Sequence, residues 1–102
     1  MMNIVLVCSA GMSTSMLVNK MLKSAEDRGI DAEINAVAES QLKNQLNELD
    51  VVLIGPQVRY LEKQIRQLVE PKGIKVGIID QMAYGMVKGE KVLDQAIELQ
   101  NE

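Results

Sequence analysis

The sequence predicts an α/β fold of three layers, in which a four-stranded parallel sheet of order 2-1-3-4 is flanked by helices on both faces. Three observations predict it. Short, continuous apolar runs occupy residues 4–7, 51–54 and 76–79, the pattern of strands covered on both sides. Segments with apolar residues three and four apart separate them, the spacing of one helix face. One further run, residues 32–37, alternates polar and apolar and suits an edge strand. Strand and helix in alternation favour parallel pairing through right-handed crossovers, and order 2-1-3-4 puts the alternating strand at a margin.

Taken in order, Ile4-Val5-Leu6-Val7 forms the first strand. Leu17, Met21 and Ala25, flanked by Val18 and Leu22, predict a helix over residues 13–28, which Gly29 stops. The second strand covers 32–37. Leu42, Leu46 and Leu49 mark a shorter helix that starts near Glu39 or Ser40. After the third strand at 51–54, Val58, Leu61, Ile65 and Leu68 predict a third helix, ended by Pro71 and Gly73. The fourth strand, 76–79, is entered from Ile74 and is expected to be buried like the first and third. A helical turn is placed near 82–85, and a last helix from about residue 90 carries Val92, Leu93, Ala96 and Ile97. No linker, repeat or low-complexity stretch interrupts the pattern, so residues 1–102 are expected to form a single domain.

Composition excludes several kinds of chemistry. With 47% hydrophobic residues, the chain can fill one core without cross-links. The net charge is -3, the basic residues are scattered, and Tyr60 and Tyr84 are the only aromatics. A nucleic-acid surface is therefore not expected. Nor is direct membrane insertion, because no apolar run approaches the roughly 20 residues that span a bilayer. The N-terminus has no basic start and makes a poor signal peptide, so a cytoplasmic location is expected. There is no histidine, which removes Ser-His and Cys-His pairs, the usual zinc sites and phosphohistidine within the chain. The single cysteine, Cys8, removes internal disulfides and dithiol redox pairs. No metal or other cofactor is expected.

Cys8 opens the segment that joins the first strand to the first helix: Cys8, Ser9, Ala10, Gly11, Met12, Ser13, Thr14, Ser15. In open parallel sheets, ligands bind beyond the carboxyl ends of the strands where the order reverses, here between the first and third strands. Small residues, hydroxyls and a glycine allow backbone N–H groups to turn around a tetrahedral anion. The helix N-terminus adds unpaired donors and partial positive charge. Those donors favour a thiolate nucleophile and would equally stabilise a phosphoryl group attached to it. By position alone Cys8 is more often a packed apolar residue than a nucleophile; the loop composition shifts the balance. Ser13 and Thr14 also have a plain reading as helix caps, and Gly11 as a turn residue. Residues after the third and fourth strands face the same end of the sheet, which makes Gln57, Asp80 and Tyr84 rim candidates. For Gly55 and Pro56 strand-to-helix punctuation suffices, and Asp80 can simply cap the following turn.

The run from Cys8 to Ser15 directly after a first strand resembles the active-site loop of enzyme IIB of the lactose/cellobiose (chitobiose) family of the bacterial sugar phosphotransferase system. The likeness extends over essentially the whole chain, including Asp50-Val-Val-Leu-Ile-Gly-Pro-Gln57 and Tyr84-Gly85. It implies a protein-phosphocysteine–sugar phosphotransferase. A histidine-phosphorylated enzyme IIA donates to Cys8, with residues 9–15 as the phosphate-binding loop. The phosphocysteine then donates to a sugar, a β-linked disaccharide such as cellobiose, chitobiose or lactose, held in the membrane-embedded enzyme IIC. A monomer suits such a relay component.

Three rivals are weighed against this. Low-molecular-weight tyrosine phosphatases form phosphocysteine on a similar strand-loop-helix but carry arginine six residues after the cysteine, where this chain has Thr14. Without that clamp, and with only Asp80 placed to act as an acid, monoester hydrolysis is disfavoured. Receiver-like signalling domains need an acidic cluster after the first strand and an aspartate ending the third, where this chain has Cys8 and Gly55. A nonenzymatic anion-binding module would tolerate Cys8→Ser.

Overall fold

The computed structural model describes residues 2–8, 12–42, 44 and 49–102, with the backbone alone described for Met12, Ser13 and Glu39. Four strands, β1 (Met2–Val7), β2 (Ala32–Val37), β3 (Val51–Ile54) and β4 (Lys75–Ile78), pair in parallel in the order β2-β1-β3-β4, as expected. Five α-helices join or follow them: α1 (Met12–Asp27), α2 (Glu39–Leu42), α3 (Glu62–Val69), α4 (Gln81–Gly85) and α5 (Gly89–Gln100). Two 3-10 segments, Pro56–Leu61 and Glu70–Lys72, flank α3.

The pleat of β1 divides the core into two. Ile4, Leu6 and Cys8 face Leu17, Met21 and Ala25 of α1 and Val92, Leu93 and Ala96 of α5. Val5 and Val7 face the other layer, with Leu42, Val58, Ile65 and Val69. Residues 4–7 of β1 and all of β3 are apolar because both of their faces are covered. β2 is an edge strand whose Glu33, Asn35 and Ala36 are exposed, as its alternation predicts. Gly29 ends α1 with φ +70°, and Ile30 N–H reaches back to the Ala25 carbonyl at 2.8 Å, the closure that a left-handed residue permits.

Other expectations need correction. β4, at the opposite edge as the predicted order places it, is not buried as its apolar composition suggests: only Val76 in it is buried, while Lys75, Gly77 and Ile78 are partly exposed. Its free edge is covered by side chains instead. Arg66 Nη2 donates to the Val76 carbonyl at 3.4 Å, and Gln95 Nε2 donates to the Ile78 carbonyl. Arg66 also bonds Glu62 and Glu70, and the hydrogen bond to Glu62 is the main cause that pushes its guanidinium further above its usual range. The third helix is not continuous. Non-helical torsions at Val58 (φ -120°) break the 3-10 segment that precedes α3. In α3 itself, Val69, four residues after Ile65, joins it in the core, whereas Leu68 is 37% exposed. α2 starts where expected and buries Leu42, Leu49 packs against the core, and Leu46 lies outside the described residues. The turn expected near 82–85 is α4, and α5 begins one residue before the expected start.

Candidate functional site

Cys8 is the first residue past β1, held there by its N–H bond to the Val37 carbonyl (3.1 Å). On its other side, Gly55 N–H bonds the Val7 carbonyl (2.9 Å), which draws the start of the β3 loop against the cysteine. A Cβ on Gly55 would stand 3.2 Å from Cys8 Sγ, 3.3 Å from the Val7 carbonyl and 2.7 Å from Gln57 Oε1. Close approach is therefore the reason for glycine here, beyond the punctuation role expected of it. Residue 8 is only 5% exposed, yet it lines a partly open cavity of about 260 Å³. Thr14 and Ser15, in the first turns of α1, line the same cavity, as do Val37, Ala38 and Gln41 at the end of β2 and in α2.

The far wall of the sulfur is polar. Tyr84 OH lies 4.0 Å from Cys8 Sγ and 3.3 Å from Thr14 Oγ1, and Gln57 Nε2 donates to it at 2.7 Å. Thr14, at 2% exposure, is the one polar residue in the described interior, and Tyr84 is the partner of its hydroxyl. Sequence positions 8, 14, 57 and 84 thus meet at one point because β1, β3 and β4 end side by side.

Of the predicted site residues, Cys8, Thr14, Ser15, Gln57 and Tyr84 come together. Ser9, Ala10 and Gly11 lie outside the described residues. Met12 and Ser13 lie in the first turn of α1, which begins at Met12; neither Ser13 nor Thr14 is therefore the cap residue. Asp80 caps α4, accepting from Ala83 N–H at 2.9 Å, which is its plain reading. Gln41, whose Oε1 accepts from Ala38 N–H at 3.2 Å, was not anticipated. Sheet order carried a signal for it, since β2 ends in register with β1 at Val7 and Val37, so the residues after β2 also border Cys8. A larger cavity, about 430 Å³, lies between α1 and the start of α5, but none of the predicted site residues lines it.

The sequence also matches, over residues 3–95, the family described as the lactose/cellobiose-specific IIB subunit of the PTS system. The chain belongs to that IIB family. Among its relatives, the oligo-beta-mannoside-specific EIIB component of Bacillus subtilis (strain 168) is 44% identical over 97% of this chain and 96% of its own length. The cellobiose-specific EIIB component of Lactococcus lactis subsp. lactis (strain IL1403) is 42% identical over 96% of this chain and 95% of its own length. Among solved structures, the cellobiose-specific phosphotransferase IIB component from Borrelia burgdorferi shares 48% identity and superposes with a TM-score of 0.81, covering 98% of this chain and 92% of that one. The lactose-specific IIB domain from Streptococcus pneumoniae, only 19% identical, has the same fold, with a TM-score of 0.85 and 96% of both chains covered. As a IIB component, the protein falls in the phosphotransferase class of the sugar phosphotransferase system. No helix among the described residues is long and apolar enough to cross a membrane.

In this IIB protein the described groups around the sulfur are neutral donors and acceptors rather than charges. No cluster of described residues is suited to a metal ion. What the arrangement can do chemically is hold a sulfur in the wall of a cavity, with hydroxyl groups beside it and residues of the first turn of α1 lining the same space.

Proposed function

We propose that Cys8 is the phosphoryl acceptor and donor of this IIB component. A phosphohistidine of enzyme IIA transfers its phosphoryl group to the sulfur: the S–P bond forms as the N–P bond breaks, and the imidazole leaves with the electron pair. A sugar hydroxyl presented by membrane-embedded enzyme IIC then attacks the phosphorus: the O–P bond forms as the S–P bond breaks, and the sulfur leaves with the electron pair and takes up the hydroxyl proton. A β-linked disaccharide is the substrate class most in keeping with the names of the relatives. The chain works as a cytoplasmic monomer, residues 1–102 acting as one carrier domain with residues 9–15 as its phosphate-binding loop.

The observation that carries this reading is the place of the sulfur, beside the start of α1 and in the wall of a cavity shared with Thr14 and Ser15. A helix start suits an anion, and in-line transfer asks for positioning and electrostatic stabilisation more than for an acid or base within the chain. Phosphatase action is disfavoured by the same residues. Thr14, in the position of the phosphatase arginine, is buried and turned to Tyr84, and Asp80 is engaged as a cap. A carrier gains from that lack, because water attack would lose the phosphoryl group. Incubation with a phosphorylated enzyme IIA is expected to add one phosphoryl mass to the intact protein, and Cys8→Ser to remove that gain. Mass retained on the serine variant, or none on wild type, sinks the proposal.

A further inference from the structure

We propose that the Tyr84 hydroxyl is a hydrogen-bond donor to the transferring phosphoryl group, with Gln57 as the positioning residue that points its proton there; this rests on the phosphocysteine reading above. Proton counting is the first argument. A phenol has one proton, and its oxygen accepts as well. Gln57 Nε2 donates to that oxygen at 2.7 Å, so an accepting position is already taken. Among the described residues, its other neighbours are Thr14 Oγ1 at 3.3 Å and Cys8 Sγ at 4.0 Å. Either hydroxyl can donate in the Thr14–Tyr84 pair; with Thr14 as its donor the tyrosine proton is left for the sulfur, the direction in which Tyr84 OH faces Cys8 Sγ.

Distance is the second. At 4.0 Å the hydroxyl stands too far from the sulfur for a strong bond to the bare thiol. A phosphoryl oxygen lies one atom further out than the sulfur. It can therefore approach the hydroxyl to about 2.7 Å, the ordinary O–H···O length. The contact is thus weak before transfer and strong once charge sits on the phosphoryl oxygens, the condition under which a donor lowers a barrier rather than merely tightening binding.

The third argument is how firmly the tyrosine is held. α4, only five residues long, is fixed at its start by the Asp80 cap and by Gln95, whose Oε1 accepts from Asp80 N–H at 3.2 Å. At its end, Val87 takes a left-handed conformation, φ +54°, where glycine is usual. Val87 N–H bonds the Tyr84 carbonyl at 3.1 Å, and Lys88 N–H bonds the Ala83 carbonyl at 2.8 Å. A β-branched residue held there marks backbone strain, of a kind that persists where the surrounding structure fixes a functional position.

The test measures phosphoryl transfer from phosphorylated enzyme IIA over a range of donor concentrations, with intact mass as the readout and Cys8→Ser as the blank. In the step measured, the imidazole nitrogen leaves as the S–P bond forms and takes up the proton of the thiol. Tyr84→Phe keeps the ring and removes the hydroxyl. Its limiting rate is expected to fall about tenfold to a hundredfold, with half-saturation within about twofold of wild type. The 31P resonance of its phosphocysteine is expected to move, which a purely structural role would not require. Gln57→Leu, at an exposed position that leaves folding intact, is expected to slow transfer in wild type but to cause no further loss on top of Tyr84→Phe. An unchanged limiting rate in Tyr84→Phe, a raised half-saturation alone, or independent losses from the two substitutions would overturn the assignment. A wild type that accepts no phosphoryl group on Cys8 overturns the carrier reading and this one together.

Discussion

At the amino end of the sheet a polar side chain helps to tie strands together; at the carboxyl end three such side chains, Thr14, Gln57 and Tyr84, meet one another beside a sulfur. Asp50 illustrates the first. Its Oδ2 accepts from Asn3 N–H at 2.8 Å, its own N–H bonds the Asn3 carbonyl at 2.9 Å, and its carbonyl accepts from Lys75 N–H at 3.0 Å. One residue thereby ties together the starts of β1, β3 and β4. At the opposite end the strands are tied by backbone alone, through Cys8 N–H to the Val37 carbonyl, Gly55 N–H to the Val7 carbonyl and Ile79 N–H to the Ile54 carbonyl. The side chains of Thr14, Gln57 and Tyr84 are released from that task and converge beside Cys8. The same sheet is thus stapled at one end and equipped at the other. Polar groups whose partners are other side chains are free to exchange them for the phosphoryl group proposed above, whereas a staple cannot change partners without loosening strands.

Substitutions can break or sharpen this contrast. The largest effect is expected from Gly55→Ala, whose methyl would crowd Cys8 Sγ and displace Gln57. Phosphoryl transfer is expected to fall tenfold or more, with about 1–3 kcal/mol of destabilisation from overpacking, read by transfer kinetics and urea unfolding on the same sample. Asp50→Ala is expected to affect stability alone. It would cost about 1–2 kcal/mol of stability in urea unfolding while transfer rates stay at the wild-type value; a slowed transfer at full folding would erase the distinction between the two ends. Thr14→Val keeps the volume of a buried side chain and removes only its hydroxyl. Transfer is expected to slow severalfold, with stability changed by about 1 kcal/mol or less. The smallest effect is expected from Arg28→Ala. Its exposed pair with Asp94 belongs to neither end, so neither the unfolding midpoint nor the transfer rate is expected to move measurably.

Much of the fold was legible because burial leaves a periodic trace. Residues 4–7 and 51–54 are apolar at every position since each strand is covered on both faces, and residues 32–37 alternate since one side meets water. Where that logic failed, the cause was local. β4 carries the composition of a buried strand, yet it lies at the margin where the strand order puts it, and Arg66 and Gln95, from elements before and after it, cover its outer carbonyls. Leu68 and Val69 are equally apolar, and the way α3 seats on the sheet decides which of them faces the core.

The site shows the same division. Cys8 stood out by its chemistry and by the small residues that follow it, which local sequence displays in full. Gln57 and Tyr84 were placed at the correct end of the sheet by strand order, but their bond to each other was not visible, and the tight fit of Gly55 against the sulfur was not visible either.

The sequence by itself determined the alternation of strand and helix, the strand order, the position of the lone thiol at a strand end, and the absence of any histidine to assist it. These follow from composition and spacing along the chain, where each residue's environment repeats with the element it belongs to. Tertiary structure alone decided that Thr14 turns inward to Tyr84, that Gln57 donates to the same oxygen, and that the sulfur is nearly covered while bordering a cavity. Those features depend on distances of a few ångströms between residues up to 76 positions apart, set by how three strand ends pack side by side rather than by any pattern within one of them.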